Sequence, residues 1–280
     1  MKNRILSGSA KFFARIYLGL LSLSVLFPLF WTVSTSMKTN QQFFEDPWSL
    51  PTSFNIENYI RIWKDIELSR NFLNSVVISG VVVVACLLLG AMTAYCCTRL
   101  GLRVGKYVTA IYLSGMFVPS IICAVSIFLQ MRDLNLLESR LGLILLYIAL
   151  QMPFSVYVLS GFFRTLPHEL EEAAALDGSG LMRTFWTIML PLAKPGLATV
   201  SIFNFLTAWN EYTMASIIML DPKKTTLPVV LVELQGSLRN QADWVGLFAG
   251  MVIVIIPLMI IYFVFQKYIT AGVTAGAIKG

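Results

Sequence analysis

Apolar positions along this chain neither alternate nor keep to one helical stripe. They run almost continuously near 14–36, 72–97, 107–130, 142–165, 195–220 and 245–266. A helix needs roughly 20 apolar residues to cross a hydrocarbon core. Backbone groups inside a bilayer must be satisfied within helices or a closed barrel, and the lack of two-residue alternation leaves helices. The pattern therefore predicts an all-α, polytopic membrane protein with six transmembrane helices, forming one transmembrane domain over residues 1–280. The third run is interrupted at Pro119-Ser120, and Pro153 falls midway along the fourth. Each proline removes a backbone donor and breaks or kinks its helix.

The polar connections refine this layout. Lys2, Arg4, Lys11 and Arg15 flank the first run, which is too long for a secretory signal and shows no small-x-small cleavage site before Ser36, so it reads as a retained helix. Connection 38–71, with Pro47, Pro51 and several aromatics, reads as an ordered, lid-like connection and not a domain. In connection 166–194, Pro167 with Glu169, Glu171 and Glu172 opens a helix and Gly178 stops it. Ser179 is placed to cap a second short helix through Leu181, Phe185 and Trp186, ended by Pro191. A bent helix pair with small residues along one face is a protrusion suited to a groove on another protein. The stretch after the sixth run is rich in Gly, Ala and Thr, and composition alone makes it a frayed terminus.

Composition removes the soluble alternatives, because 57% hydrophobic and 13% charged residues are far from the balance of an ordinary soluble domain. The net charge of +6 needs no nucleic-acid partner, and no nucleic-acid motif is present. Twelve of the 21 basic residues lie on the side of connection 166–194, which also holds both termini, against nine opposite. The positive-inside rule places that side in the cytoplasm. Cys86, Cys96, Cys97 and Cys123 fall in or beside apolar runs and read as packing residues. With His168 as the sole histidine, a His-based metal site or acid–base pair is not expected. No G-x-x-x-x-G-K-[ST] occurs, since Gly101 to Gly105-Lys106 has the wrong spacing and lacks the hydroxyl. Without a catalytic residue for nucleotide hydrolysis, the chain needs an ion gradient or a separate ATPase for active transport.

Polar residues inside the runs mark a candidate path. Ser201, Asn204, Thr207 and Glu211 follow steps of three, three and four, which places them on one helical face. A carboxylate at that depth needs water, a partner or the bundle interior. The stripe therefore reads either as pathway lining or as hydrogen-bonding glue between helices. Trp209 lies off the stripe, on a face equally suited to packing. Gln151 and Ser155, bracketing Pro153, are further candidates for the path.

The spacing from Glu172-Ala173-Ala174 across three residues to Gly178, then nine residues to Ile188-x-Leu190-Pro191, resembles the EAA loop of ABC-importer permeases. Trp209-Asn210-Glu211-Tyr212, Gly272 and the terminal Gly276-Ala277-Ile278-Lys279-Gly280 are similar to the carbohydrate branch related to maltose-type permeases. The resemblance implies a type I importer permease whose cytoplasmic loop 166–194 couples to an ATPase through Glu172, Ala173, Ala174, Asp177, Gly178, Ile188, Leu190 and Pro191. It implies a tail, Gly276, Ala277, Ile278 and Lys279, that reaches the ATPase pair. It further implies a second, different permease, two cytoplasmic ATPase subunits that bind ATP and Mg, an extracytoplasmic solute-binding protein, and a multi-pass location in the bacterial cytoplasmic membrane. No cofactor is implied for this chain, and the substrate class is a sugar or oligosaccharide. A permease for glycerol phosphate or polyols, an ion-coupled secondary transporter and a membrane scaffold stay open as alternatives.

Overall fold

The structure is a computed structural model that describes residues 8–65, 68–240 and 242–277. Among them there are helices and turns and no strand. In chain order the helices are α1 (Gly8–Ser36), α2 (Asn40–Glu45), α3 (Glu57–Asp65), α4 (Leu68–Arg99), α5 (Gly105–Gly115), α6 (Ala124–Asp133) and α7 (Arg140–Thr165). They continue with α8 (Glu169–Leu176), α9 (Leu181–Thr184), a π-helical turn (Phe185–Met189), α10 (Leu190–Leu192), α11 (Lys194–Asn210), α12 (Thr213–Ile218), α13 (Leu227–Asn240) and α14 (Trp244–Ala277).

Four of the expected spans are continuous apolar helices: Lys11–Ser36, Leu68–Arg99, Arg140–Thr165 and Trp244–Val264. The third and fifth are interrupted. Turns over 116–123, around Pro119, separate α5 from α6, and α11 stops at Asn210 before α12. Pro153, in contrast, lies inside an unbroken α7. Helix α14 runs on to Ala277, so the Gly- and Ala-rich stretch expected to fray is helical through Gly276 and Ala277. Ile278 and Lys279 lie outside the described residues.

The chain divides into two compact units, the first comprising Met1–Glu67 with Leu231–Ile255. Its polar centre is built on Lys38, which is fully buried and whose Nζ donates to the carbonyls of Pro47 at 2.8 Å and Asp46 at 3.3 Å. Burial pulls this ammonium below the usual lysine range, against the opposing pull of the Asp46 carboxylate. Asn58 donates to the carbonyls of Ser36 and Lys38, both at 2.8 Å, fixing the end of α1 to the start of α3. A second clamp is Asp243, which accepts from Asn40 at 2.9 Å and from the Gly246 amide at 3.1 Å and pairs with Arg61. Trp31, Trp48, Phe43, Phe248 and Trp244 form a chain of ring contacts beside these clamps.

The second unit comprises Leu68–Val230 with Ile256–Gly280, and its centre is the packing of α4 against α7 and α11. At Gly90 an added Cβ would stand 3.0 Å from the Ser155 Cβ, so the absence of a side chain there lets α4 and α7 approach closely. One apolar core joins Ile78, Val82 and Cys86 to Leu143, Leu146, Tyr147 and Met214. Another joins Ala91, Ala94 and Tyr95 to Leu159, Phe163, Phe185 and Met189. At the N-terminal end of α4, Asn71 and Asn74 donate to the carbonyls of Pro222, Lys223 and Thr225, and the Ser75 hydroxyl accepts the Leu227 amide at 2.8 Å. Connection 221–227 is thereby sewn to α4.

Candidate functional site

The connection 166–194 forms a projecting arm. Helix α8 begins one residue after His168, and Glu169, Glu171 and Glu172 in its first turn complement the positive end of its dipole. It ends in a Schellman turn, in which the Gly178 amide donates to Ala175 at 3.0 Å and the Ser179 amide to Ala174 at 2.8 Å. Gly178 has φ +75°, the left-handed conformation that this turn requires.

The second half of the arm departs from the expected pattern at two residues. Gly180, not Ser179, occupies the N-cap of α9, while the Ser179 hydroxyl accepts from the Thr184 side chain at 3.2 Å. Pro191 does not end the helix. The preceding turn is π-helical, the Leu190 amide donates five residues back to Phe185, and Pro191 sits inside α10. The widened turn leaves Pro191 where no amide donor is demanded. Helix termination falls to Ala193, and the segments Leu181–Leu192 and Lys194–Asn210 meet at 75°.

Burial divides the arm into a root and a tip. Ala174, Thr184, Phe185, Met189 and Ala193 are buried, and Ile188 and Leu190 pack at the edge of the second core. Glu172, Ala173, Asp177, Gly178 and Pro191 are exposed. At the tip Leu176 is 89% exposed, Leu181 64% and Met182 61%. Three large apolar side chains so displayed beside Ala173 and Ala175 form a surface suited to contact with another protein. These three are additional candidates that the motif spacing does not mark.

The root is held by Arg99, in the last turn of α4. Its side chain is 1% exposed, and it forms two bonds to one Glu171 carboxylate oxygen, Nε at 2.9 Å and Nη2 at 2.5 Å. The same guanidinium donates to the carbonyls of Leu166 at 2.9 Å and Pro167 at 3.0 Å, with Phe163 at 3.4 Å. One side chain thus satisfies the open carbonyl end of α7 and pairs with the first turn of α8. Tyr95, one turn earlier, contacts the rings of Phe163 and Phe185. A cleft of ≈ 520 Å³ lies between this root and the arm, lined by Arg99, His168, Glu172 and Ser179 among others. Nothing local in the sequence connects Arg99 to a carboxylate 72 positions away.

The polar residues of the spans separate into two groups. Glu211 does not continue the face of α11. It is the C-cap, in extended conformation, and its carboxylate accepts the Met214 amide at 2.7 Å and the Ala215 amide at 3.0 Å, which opens α12. The Tyr147 hydroxyl donates to the same carboxylate at 2.5 Å. Ser201 bonds back to the Leu197 carbonyl. Asn204, 1% exposed, donates to Ser155 at 2.8 Å and joins α11 to α7. Thr207, Glu211 and Gln151 instead line a common cavity of ≈ 360 Å³ with Tyr147 and Ser120. Gln151 is buried, and its Oε1 has no hydrogen-bond partner among the described residues. Trp209 is fully buried, stacked on Phe205 and edge-on to Phe72.

Comparison with known proteins places this arrangement. Residues 86–275 match the family of binding-protein-dependent transport system inner membrane components. The chain is 36% identical over 279 residues to the diacetylchitobiose uptake system permease protein NgcG of Streptomyces coelicolor, covering 99% of this chain and 92% of that one. It is 35% identical to the trehalose transport system permease protein SugB of Mycobacterium tuberculosis, covering 91% and 93% of the two chains. Its fold matches a chain in the crystal structure of a bacterial ABC transporter involved in the import of the acidic polysaccharide alginate, with TM-score 0.79 and 26% identity over 95% of this chain and 100% of that one. With its apolar spans, its interrupted helices and its projecting arm, the chain belongs to the binding-protein-dependent inner membrane components, as a multi-pass permease subunit of an ABC importer.

Proposed function

We propose that this permease imports a sugar or oligosaccharide, with ATP and Mg bound by two separate cytoplasmic ATPase subunits and solute delivered by an extracytoplasmic binding protein. Support for the substrate class comes from relatives named for diacetylchitobiose and trehalose. A second, different permease completes the pathway. The arm faces the cytoplasm, as do both termini, and its tip docks in a cleft of one ATPase subunit through Leu176, Leu181 and Met182 around Glu172, Ala173, Ala174, Asp177 and Gly178. Ile188, Leu190 and Pro191 fix its direction. Closure of the ATPase pair on ATP would move the arm and, through its buried root, the ends of α4 and α7. The tail from Gly276 to Lys279 reaches the same ATPase pair.

The observation that carries the pathway is the cavity lined jointly by Gln151, Thr207 and Glu211, which gathers an amide, a hydroxyl and a carboxylate residue around one space. Among the described residues no Lys or Arg lines that cavity, so it suits a neutral, hydroxyl-rich solute better than a glycerol phosphate. Asn204 and Ser155, closed on each other, act as glue between helices. Single cysteines placed by Thr207→Cys and Asn204→Cys, in a complex lacking the four native cysteines, test this division. Position 207 should react with a small membrane-impermeant thiol reagent in a nucleotide-dependent manner, transported sugar should slow the reaction, and position 204 should stay protected. No reaction at 207 in any nucleotide state of a transporting complex would remove the cavity from the pathway.

A further inference from the structure

A separate cavity of ≈ 280 Å³ lies between α5 and α7, lined by Lys106, Thr109, Leu113, Tyr157, Ser160 and Arg164 among others. It contains none of the residues of the arm or of the solute cavity. Lys106 stands in the first turn of α5 and Arg164 in the last turn of α7, so the two cations stand at helix ends. Neither is paired with a carboxylate among the described residues. The Lys106 ammonium rests 5.0 Å from the centre of the Tyr107 ring. Ala110 and Leu113, about one and two turns along α5 from Lys106, and Gly161, about one turn before Arg164 on α7, make the lining beyond the cations apolar. One polar group is left over: the Ser160 hydroxyl, in a residue 3% exposed, has no hydrogen-bond partner among the described residues. In helices a serine hydroxyl ordinarily bonds back to its own turn, as Ser155 does to Gln151. The neighbouring Thr109, in contrast to Ser160, bonds back to Gly105 at 2.9 Å, so of the Thr109 and Ser160 hydroxyls that line this cavity only that of Ser160 is unmet.

We infer that this cavity binds the phosphate headgroup of an anionic phospholipid. Lys106 and Arg164 flank the phosphate, Ser160 donates to a headgroup oxygen, and Leu113 and Ala110 lie along the first acyl carbons. Three features favour this occupant. The chain is a membrane protein, the two cations mark the end of a span where headgroups reside, and the lining passes from charged to apolar as a lipid does. A soluble anion would gain nothing from the apolar wall. Binding of this kind holds α5 against α7, the helix whose end carries the arm.

Native mass spectrometry of the intact transporter, released from nanodiscs of mixed phosphatidylglycerol and phosphatidylethanolamine, provides the test. The wild-type complex should retain phosphatidylglycerol selectively. Lys106→Gln with Arg164→Gln should weaken retention about 25-fold, the product of roughly fivefold for each cation removed near a membrane surface. Gly161→Leu should displace the lipid with both charges intact, because an added side chain there starts in open space. Ser160→Ala should reduce retention less, with assembly unchanged. Equal retention by wild type and the doubly neutralised complex would overturn the assignment. Displacement of phosphatidylglycerol by millimolar inorganic phosphate would identify a free-anion site and overturn the lipid reading. A partner permease cross-linking to position 161 in a complex that retains no lipid would show the cavity to be a subunit contact, with the same consequence.

Discussion

Arg99→Gln is the most discriminating perturbation of the arm. The wild-type guanidinium is buried, makes two bonds to Glu171 and caps α7 at the Leu166 and Pro167 carbonyls. Glutamine is too short to reach all of these, and it carries no charge. Removing one partner of a buried ion pair costs about 3–5 kcal/mol. The Glu171 side chain is 18% exposed, so some hydration returns and the lower end, about 3 kcal/mol, applies here. That energy falls on the docking of α8 against the ends of α4 and α7, and not on insertion of either span, whose apolar runs are unchanged. At 1.4 kcal/mol per decade, the population with an undocked arm should rise by about two powers of ten. Hydrogen exchange of the reconstituted complex reads this directly: backbone amides over 169–180 should exchange about 100-fold faster while those in the middle of α4 and α7 stay protected. Binding-protein-dependent uptake should fall in parallel, with ATPase subunits still bound. Glu171→Gln should have a smaller effect, since Arg99 keeps its carbonyl acceptors. A paired Arg99→Met, Glu171→Met change should cost less than the sum of the two single changes. Unaltered exchange over 169–180 together with full uptake in Arg99→Gln would refute the reasoning.

Two further predictions concern the turn of the arm and the clamp of the first unit. At Gly178, φ is +75° and an added Cβ meets no atom within 4 Å, so Gly178→Val should fail through backbone strain of about 1–2 kcal/mol, while Gly178→Asn retains most uptake. Equal uptake by the two variants would count against the turn geometry. In the first unit, burial raises the Asp243 carboxyl but bonds from Arg61, Asn40 and the Gly246 amide outweigh it, holding the group below its ordinary value of 3.8. A depressed carboxyl contributes stability that is full above the ordinary value and is lost as pH falls through the folded one. Tryptophan fluorescence from the Trp31, Trp48 and Trp244 cluster should therefore show an acid transition below pH 3.8, which Asp243→Asn shifts or removes. An identical transition in that variant would assign it to another group.

Much of this protein is legible in its sequence because lipid imposes its rule on each span separately. The apolar runs at 72–97, 142–165 and 245–266 each fall within a continuous helix, and the helix start near Glu169 with its stop at Gly178 follows from local capping chemistry. The motif spacing around Glu172 and Gly178 is likewise a property of neighbouring residues, and it leads to the family. What depends on distant partners is not legible. The helical-wheel face of Ser201, Asn204, Thr207 and Glu211 assumes an unbroken helix, yet the chain turns at Glu211, whose carboxylate is drawn to the amides of Met214 and Ala215 and to Tyr147, 64 positions away. A π-helical turn shifts the hydrogen-bond register and carries Pro191 inside a helix that proline ordinarily ends. Arg99, Lys38 and Asp243 look like surface charges in sequence because charge favours water, and only the folded chain supplies the carbonyls and counter-charges that let them be buried. Local rules fix where this chain crosses the membrane and where its arm begins, whereas long-range packing decides which polar groups are left facing open space.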